Sequence, residues 1–120
     1  MQLSQTKINK TIESQLKKMF YGMLAETDEP EKIETILSEM LTETERVAVT
    51  KRLGIALYLD KNRSYEDIKQ NIKVSSATIA SVAEKISNKG WQEIIKIIKA
   101  DEWASEWTDK LSRKFKRIFG

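Results

Sequence analysis

Short hydroxyl side chains are concentrated at the start of one predicted helix, at Ser75, Ser76, Thr78 and Ser81. Each hydroxyl can both donate and accept a hydrogen bond. The chain contains no histidine and no cysteine, so it lacks the most common general base and any thiol nucleophile. Because no convergent set of other catalytic side chains replaces them, these residues favour reversible hydrogen bonding over covalent catalysis.

The hydroxyl residues belong to a predicted helix-turn-helix between residues 64 and 89. A short helix from Tyr65 to Gln70 is followed by a tight turn from Asn71 to Val74 and a longer helix from about Ala77 to Asn88. A small core is expected to fix the crossing of the two helices. Its apolar residues are Ile68, Ile72, Val74, Ile79 and Val82.

Capping residues define the ends of these two helices. Ser64 is a good N-cap for the first, and either Ser75 or Ser76 caps the second. Lys89-Gly90 predicts the end of the second helix, with the glycine in a left-handed conformation.

The rest of the chain also predicts helices, because apolar residues recur at steps of three and four and no long stretch alternates with period two. The pattern indicates an all-α fold of six or seven helices. Besides the pair above, the predicted helices are about Thr6 to Glu26, one starting at Pro30, one from the capping box Thr42-Glu43-Thr44-Glu45 to near Asp60, Trp91 to about Ala100, and about Glu102 to Ile118.

A second helix placed in this way presents its N-terminal polar side chains where the major groove of DNA would lie. Ser75, Ser76, Thr78 and Ser81 can hydrogen-bond base edges, and the threonine methyl can contact thymine. Lys69 and Lys73 flank the turn and can bind phosphates. The same pattern also occurs in ordinary helical hairpins with capped ends that never touch DNA.

The C-terminal segment is amphipathic and ends in cations. The residues from Lys110 to Gly120 include no acid, whereas the preceding segment is acidic. Three interpretations stay open: a terminal helix whose charges suit its macrodipole, a clamp on DNA phosphates, and a helix on an anionic membrane, which the acids disfavour. The clamp would use Arg113, Lys114, Lys116 and Arg117.

The same segment contains Trp103 and Trp107, which are one helical turn apart. Such a pair indicates a position in the core or in a dimer interface. The alternatives are a cage around a ligand and a pair that stacks on nucleic-acid bases.

Composition limits the function classes. The chain has 120 residues, 40% hydrophobic and 32% charged, which fits one globular domain that could need a second copy to hide its apolar surface. The net charge of +3 is only a weak indication of an anionic partner. Without a signal-peptide core, a membrane span or a glycine-rich phosphate loop, we expect a cytoplasmic non-enzyme with no cofactor, no metal and no membrane partner.

Four motifs in order resemble a known family. They are Met40-Leu41-Thr42-Glu43-Thr44-Glu45-Arg46, Arg52-Leu53, Ser64-Tyr65-Glu66-Asp67-Ile68 and Ser75-Ser76-Ala77-Thr78-Ile79. This pattern resembles the Trp-repressor superfamily over about Ile33 to Lys85, most closely its YerC/YecD-type branch. The resemblance implies an intertwined homodimer whose two recognition helices, each opened by Ala77-Thr78-Ile79, bind double-stranded DNA as a transcriptional regulator. Residues 1–100 would form this domain and residues 101–120 an added basic helix.

The resemblance also implies a departure from tryptophan sensing. In the tryptophan-binding members two arginines sandwich the indole; Arg52 matches the first, but Ser81 occupies the second position and Lys85 that of a nearby serine. Serine cannot replace a stacking guanidinium, so tryptophan is not the expected corepressor. Arg52 is a possible ligand contact, or it pairs with Glu43 or Glu45, or it contacts DNA phosphate.

Two functional hypotheses follow. The first is a dimeric, sequence-specific DNA-binding regulator that uses the hydroxyl residues, Lys69, Lys73, Ala77 and Lys85. The second is a helical protein-interaction module that keeps the fold without binding DNA. The second draws support from the absence of arginine between Arg63 and Arg113, because arginine makes the commonest strong contact to guanine. If the chain binds DNA, we expect modest affinity or a preference for A·T-rich sites.

Overall fold

The computed structural model describes residues 6–102, and all regular structure in this part of the chain is helical. The all-α prediction is therefore confirmed. The helices are α1 (Lys10–Glu26), α2 (Pro30–Met40), α3 (Glu43–Asp60), α4 (Tyr65–Ile72), α5 (Ser76–Lys85) and α6, which runs from residue 89 to residue 102, the last one described. The contacts divide the chain into two compact units, Met1–Arg46 and Val47–Gly120.

The N-terminal unit contains α1, α2 and the first turn of α3. The Asn9 side chain caps α1 by accepting hydrogen bonds from the amides of Thr11 (2.9 Å) and Ile12 (3.3 Å). Pro30 opens α2, where its missing amide hydrogen would have had no helical partner. Neither α1 nor α2 contains a buried residue. The helices of this unit therefore keep much of their apolar surface accessible.

The predicted capping box at the start of α3 is confirmed. The Thr42 amide donates to the Glu45 carboxylate at 2.8 Å, and the Glu45 amide donates to the Thr42 hydroxyl at 3.1 Å. The hydrogen bond from the Thr42 backbone is the largest of the effects that lower the pKa of Glu45. The ionised carboxylate is thus the form that stabilises this helix start.

The C-terminal unit is built around one apolar cluster to which α3, α4 and α5 all contribute. Its buried residues are Ile55, Ala56, Ile68, Ile79 and Val82, and the half-buried side chains packed against it are Tyr58, Leu59, Ile72, Val74, Ile86 and Trp91. The convergence predicted for the helix-turn-helix core is therefore confirmed. The sequence pattern did not predict that α3 supplies the other half of this core.

The predicted end of the fifth helix is wrong. The helix α5 ends at Lys85, three residues before Asn88, and a turn over residues 86–88 follows. Gly90 lies in the first turn of α6, and no glycine among residues 6–102 has a positive φ. The Asn88 amide donates to the Lys85 carbonyl at 2.9 Å, while the Asn88 carbonyl already accepts from the Gln92 amide of α6 at 3.0 Å. Because the chain turns before Lys89-Gly90, no left-handed glycine is needed.

Other helix boundaries also differ from the predicted ones. The helix α4 ends at Ile72 and not at Gln70, so the turn after it begins at Lys73 and not at Asn71. The first helix begins at Lys10 and not near Thr6, because Asn9 provides the cap. The predicted break near Ala100 is absent, and α6 is helical through residue 102. Most of the predicted helix from Glu102 to Ile118 lies outside the described residues.

The capping box predicts a pH dependence of stability. The pKa of Glu45 in the folded chain lies below its ordinary value of 4.5, so its contribution is complete above that value and is lost as the pH falls through the folded-state pKa. We expect Glu45→Gln to flatten this part of the acid limb in chemical unfolding measured from pH 2 to pH 7. The control Glu43→Gln removes a charge from the same turn without removing the capping bond. Equal acid limbs for both variants would contradict the prediction.

Candidate nucleic-acid interface

The start of α4 is fixed to the end of α3 by a small polar network. The Ser64 hydroxyl accepts from the Asp67 amide at 3.1 Å, which confirms the predicted N-cap. The Arg63 guanidinium pairs with the Asp67 carboxylate and lies over the Tyr58 ring, 5.0 Å from its centroid. The hydrogen bond to Asp67 is the largest effect that raises the pKa of Arg63. The Asn71 amide group also donates to the Asp67 carboxylate at 2.8 Å, so this carboxylate binds one side chain before α4 and one within it.

The turn between α4 and α5 is seated on α3. Lys73 adopts a left-handed conformation (φ 60°, ψ 61°), and its carbonyl accepts a hydrogen bond from the Lys51 ammonium at 3.0 Å. One helical turn further along α3, a Cβ on Gly54 would lie 2.9 Å from Ile72 Cδ1. A side chain at position 54 would therefore require the end of the Ile72 side chain to shift.

The first turn of α5 is capped from within. The Ser75 hydroxyl accepts from the Thr78 amide at 3.2 Å and lies 2.9 Å from the Thr78 hydroxyl. Of the two predicted N-caps, Ser75 is therefore the one used. The next three side chains, Ser76, Ala77 and Thr78, are exposed. The cap holds these residues at the surface in a defined helical geometry.

One face of α5 borders an open depression of about 630 Å³ in the C-terminal unit. The α5 residues that line it are Ala77, Thr78, Ser81, Val82 and Lys85, and they are joined by Arg52 of α3 and Trp91 of α6. Among residues 6–102 the Arg52 side chain forms no ion pair or hydrogen bond, so the expected pairing with Glu43 or Glu45 is not formed. The depression therefore carries two exposed cations and two hydroxyls beside an indole.

The other predicted contact residues are distributed around this face. Lys69 and Lys73 are exposed at the end of α4 and in the turn, whereas Ser76 does not line the depression. The basic residues Arg113, Lys114, Lys116 and Arg117 lie outside the described residues, as do Trp103 and Trp107. The structure thus brings Ala77, Thr78, Ser81 and Lys85 together on one side of α5.

This arrangement coincides with a known sequence family. The sequence model for Trp repressor protein matches residues 14–101, a span that runs from within α1 into α6 and includes the whole helix-turn-helix. The chain belongs to the Trp repressor family. That family consists of DNA-binding transcription regulators, and α4 and α5 form the helix-turn-helix of this chain. No curated protein and no solved structure shows a significant match to this chain.

Within the Trp repressor fold of this chain, sequence reasoning missed Lys51, Gly54 and Trp91. Lys51 and the carbonyl it binds are 22 residues apart, a separation that no helical periodicity indicates. In the sequence, Gly54 is one residue within a predicted helix, and nothing there indicates its contact with Ile72. The predicted connection before Trp91 is short. That short connection is the only sequence signal that places Trp91 near α5. Among the described residues, no helix is both long and apolar enough to cross a membrane.

The Lys51 contact predicts a stability effect localised at the turn. Replacing Lys51 by Met removes a charge-assisted hydrogen bond to a left-handed residue, and we expect the free energy of unfolding to fall by about 1 kcal/mol. Hydrogen exchange should accelerate most at the amides of residues 73–79. Lys96→Met, which removes an exposed lysine charge from α6, is the matched control. Equal stabilities of the two variants would show that the Lys51 bond contributes nothing.

Proposed function

We propose that this Trp repressor family member binds double-stranded DNA sequence-specifically as a homodimer, regulates transcription, and does so without tryptophan as corepressor. We place it in the YerC/YecD-type branch, with residues 1–100 as the core domain and residues 101–120 as an added basic segment. The observation that carries the proposal is the capped, exposed first turn of α5, where Ser76, Ala77 and Thr78 are accessible.

The exposed side of α5 carries groups that suit binding in the major groove of DNA. The Thr78 hydroxyl keeps further hydrogen-bonding capacity beside its contact with Ser75, and its methyl group suits a thymine methyl. Lys69 and Lys73 are exposed next to the turn and are suited to phosphates on either side of the groove. Arginine is missing between Arg63 and Arg113, so the affinity is expected to be modest and salt-dependent.

The homodimer is supported by an apolar stripe at the start of the chain. Ile12, Leu16 and Met19 are spaced for one face of α1 and are between 50% and 68% exposed, and Ile8, just before the helix, is 48% exposed. Isolated exposed apolar residues are ordinary, but a continuous stripe of this kind usually marks an interface. A second copy of the chain carries the same stripe, so a two-fold interface can bury both at once.

Independence from tryptophan is supported by the residues of the depression. Arg52 is in the position expected of an indole-stacking arginine, but the facing α5 residues are Ser81 and Lys85. A hydroxyl has no planar face, and a flexible ammonium cannot form the guanidinium fork that would hold a carboxylate in two bonds. We further propose that Arg113, Lys114, Lys116 and Arg117 add phosphate contacts outside the groove.

A second candidate function, a protein-interaction module, is favoured by the lack of arginine on the recognition helix. It predicts no binding to duplex DNA even at low salt, where non-specific contacts should be strongest.

The groove-reading proposal predicts different effects for two substitutions. On a duplex selected from a random pool, Thr78→Ala should weaken binding by the dimer about thirtyfold, because one base contact of about 1 kcal/mol is lost in each of the two half-sites. Lys69→Gln should weaken binding to all sequences alike and reduce the log–log salt slope by about 1.8, which is about 0.9 for each subunit. Fluorescence anisotropy at several salt concentrations measures both effects. Ser87→Ala, in the turn after α5, is the hydroxyl control. Thr78→Ala binding with wild-type affinity at every site would reject groove reading by this residue.

The dimer proposal predicts a change in mass. Leu16→Glu introduces a charge into the apolar stripe and should convert a species of two chain masses into one of a single chain mass. Ser14→Glu adds the same charge to a different, polar side of α1 and should leave the mass unchanged. Sedimentation equilibrium over a hundredfold concentration range measures both. A wild-type chain of single mass throughout that range would contradict the dimer.

A further inference from the structure

The recognition helix α5 has little buried surface of its own. Only Ile79 and Val82 are buried among its ten residues, and both face the shared core with α3 and α4. These two side chains lie one turn apart on the same side of α5. They hold the helix against the core, but they restrict its rotation about its own axis only weakly. A second support would hold its exposed residues in a more constant direction.

Helix α6 supplies such a support close to the end of α5. The connection consists of residues 86–88 alone, and the Gln92 side-chain amide donates to the Ile86 carbonyl at 2.7 Å. Trp91, in the first turn of α6, packs against the shared core and also lines the depression beside Thr78, Ser81 and Lys85. Its indole therefore packs on the core that holds α5 and borders the same depression as the proposed DNA-reading residues.

The other end of α6 is anchored independently of α5. Ile95 is buried, with 3% of its surface exposed, and Lys99 pairs with Asp60 at the end of α3 at 2.8 Å. Lys61 and Glu102 lie 3.6 Å apart in a further ion pair. The indole is thus carried by a helix fastened to α3, the same helix that supports α4 and α5.

We propose that Trp91 is a positioning residue that fixes the orientation of α5, so that the reading helix is held in place by α6 and needs no bound small molecule. The inference rests on the proposed function in so far as α5 reads DNA. An indole suits this role because it is large, rigid and loses little conformational entropy when it is fixed. Removing it should leave α5 folded on α4 but free to change its orientation.

The test compares Trp91→Ala, Trp91→Phe and Trp91→Leu with Ile98→Ala, a control that removes half-buried apolar surface from α6 away from the depression and leaves the Ile95 anchor intact. All are made in the full chain and studied at temperatures where each is fully folded by circular dichroism. Hydrogen exchange of the α5 amides is measured without DNA, and affinity for the selected duplex is measured by anisotropy after exhaustive dialysis. We expect Trp91→Ala to accelerate α5 exchange at least tenfold and to weaken DNA binding at least tenfold, whereas Ile98→Ala of matched stability changes neither by more than about threefold.

The aromatic variant separates positioning from simple loss of stability. Trp91→Phe should retain most of the affinity, and Trp91→Leu, which keeps apolar volume without a flat ring, should lie between it and alanine. If Trp91→Ala does not fold, the test depends on the phenylalanine and leucine variants. The proposal is overturned if both of these variants have the same α5 exchange rates and the same DNA affinity as the wild type. Wild-type α5 amides that gain protection only after a small molecule is added also overturn it. Failure of the wild type to bind any duplex rejects the proposed function, while the exchange measurements still decide the role of Trp91.

Discussion

Burial of two isoleucine side chains against α3 is the interaction on which the helix-turn-helix depends. Ile68 from α4 and Ile79 from α5 are fully buried, and they meet Ile55 and Ala56 of α3. Full burial of such a side chain contributes about 1.5–3 kcal/mol, whereas an exposed ion pair contributes about 1 kcal/mol or less. The apolar contacts therefore determine which helices associate. The polar contacts around them, from Lys51 to the turn and from Arg63 to Asp67, determine how the associated helices are aligned.

In the C-terminal unit, the residues that hold α5 in place are different from the residues that α5 exposes to solvent. This division lets a small unit present a surface that is accessible to a ligand. The residues that fix α5 lie on α3, α4 and α6 or face inward from α5, while Ser76, Ala77 and Thr78 remain accessible. Under the proposed function, a substitution at these exposed positions would change DNA recognition without unfolding the core. The exception is Ser75, which is exposed but caps α5, so its hydroxyl contributes to the helix before it contributes to any ligand.

Most of the architecture could be predicted from sequence because its causes are local. Helical periodicity locates α1 to α4, and the caps at Thr42 and Ser64 each bond residues no more than three positions away. Local signals failed at Gly90, where a glycine that could end a helix instead lies in the first turn of the next one. They also gave no indication of the bond from Lys51 to Lys73 or of the depression shared by Arg52 and Trp91, because these depend on how α3 and α6 fold back toward α5.

The two compact units differ in how far each can stabilise itself, and this difference bears on regulation. All the fully or nearly fully buried residues of the described chain lie between Ile55 and Ile95, whereas the described residues of the N-terminal unit include none. A second copy that covers the stripe of α1 would stabilise the N-terminal unit by mass action, so the stability of that unit would rise with protein concentration. The helix-turn-helix has its own core and would not require this. Under the proposed function, a single chain would hold a formed reading helix before it dimerises, and dimerisation would add the second reading helix and thereby the specificity of a two-fold site.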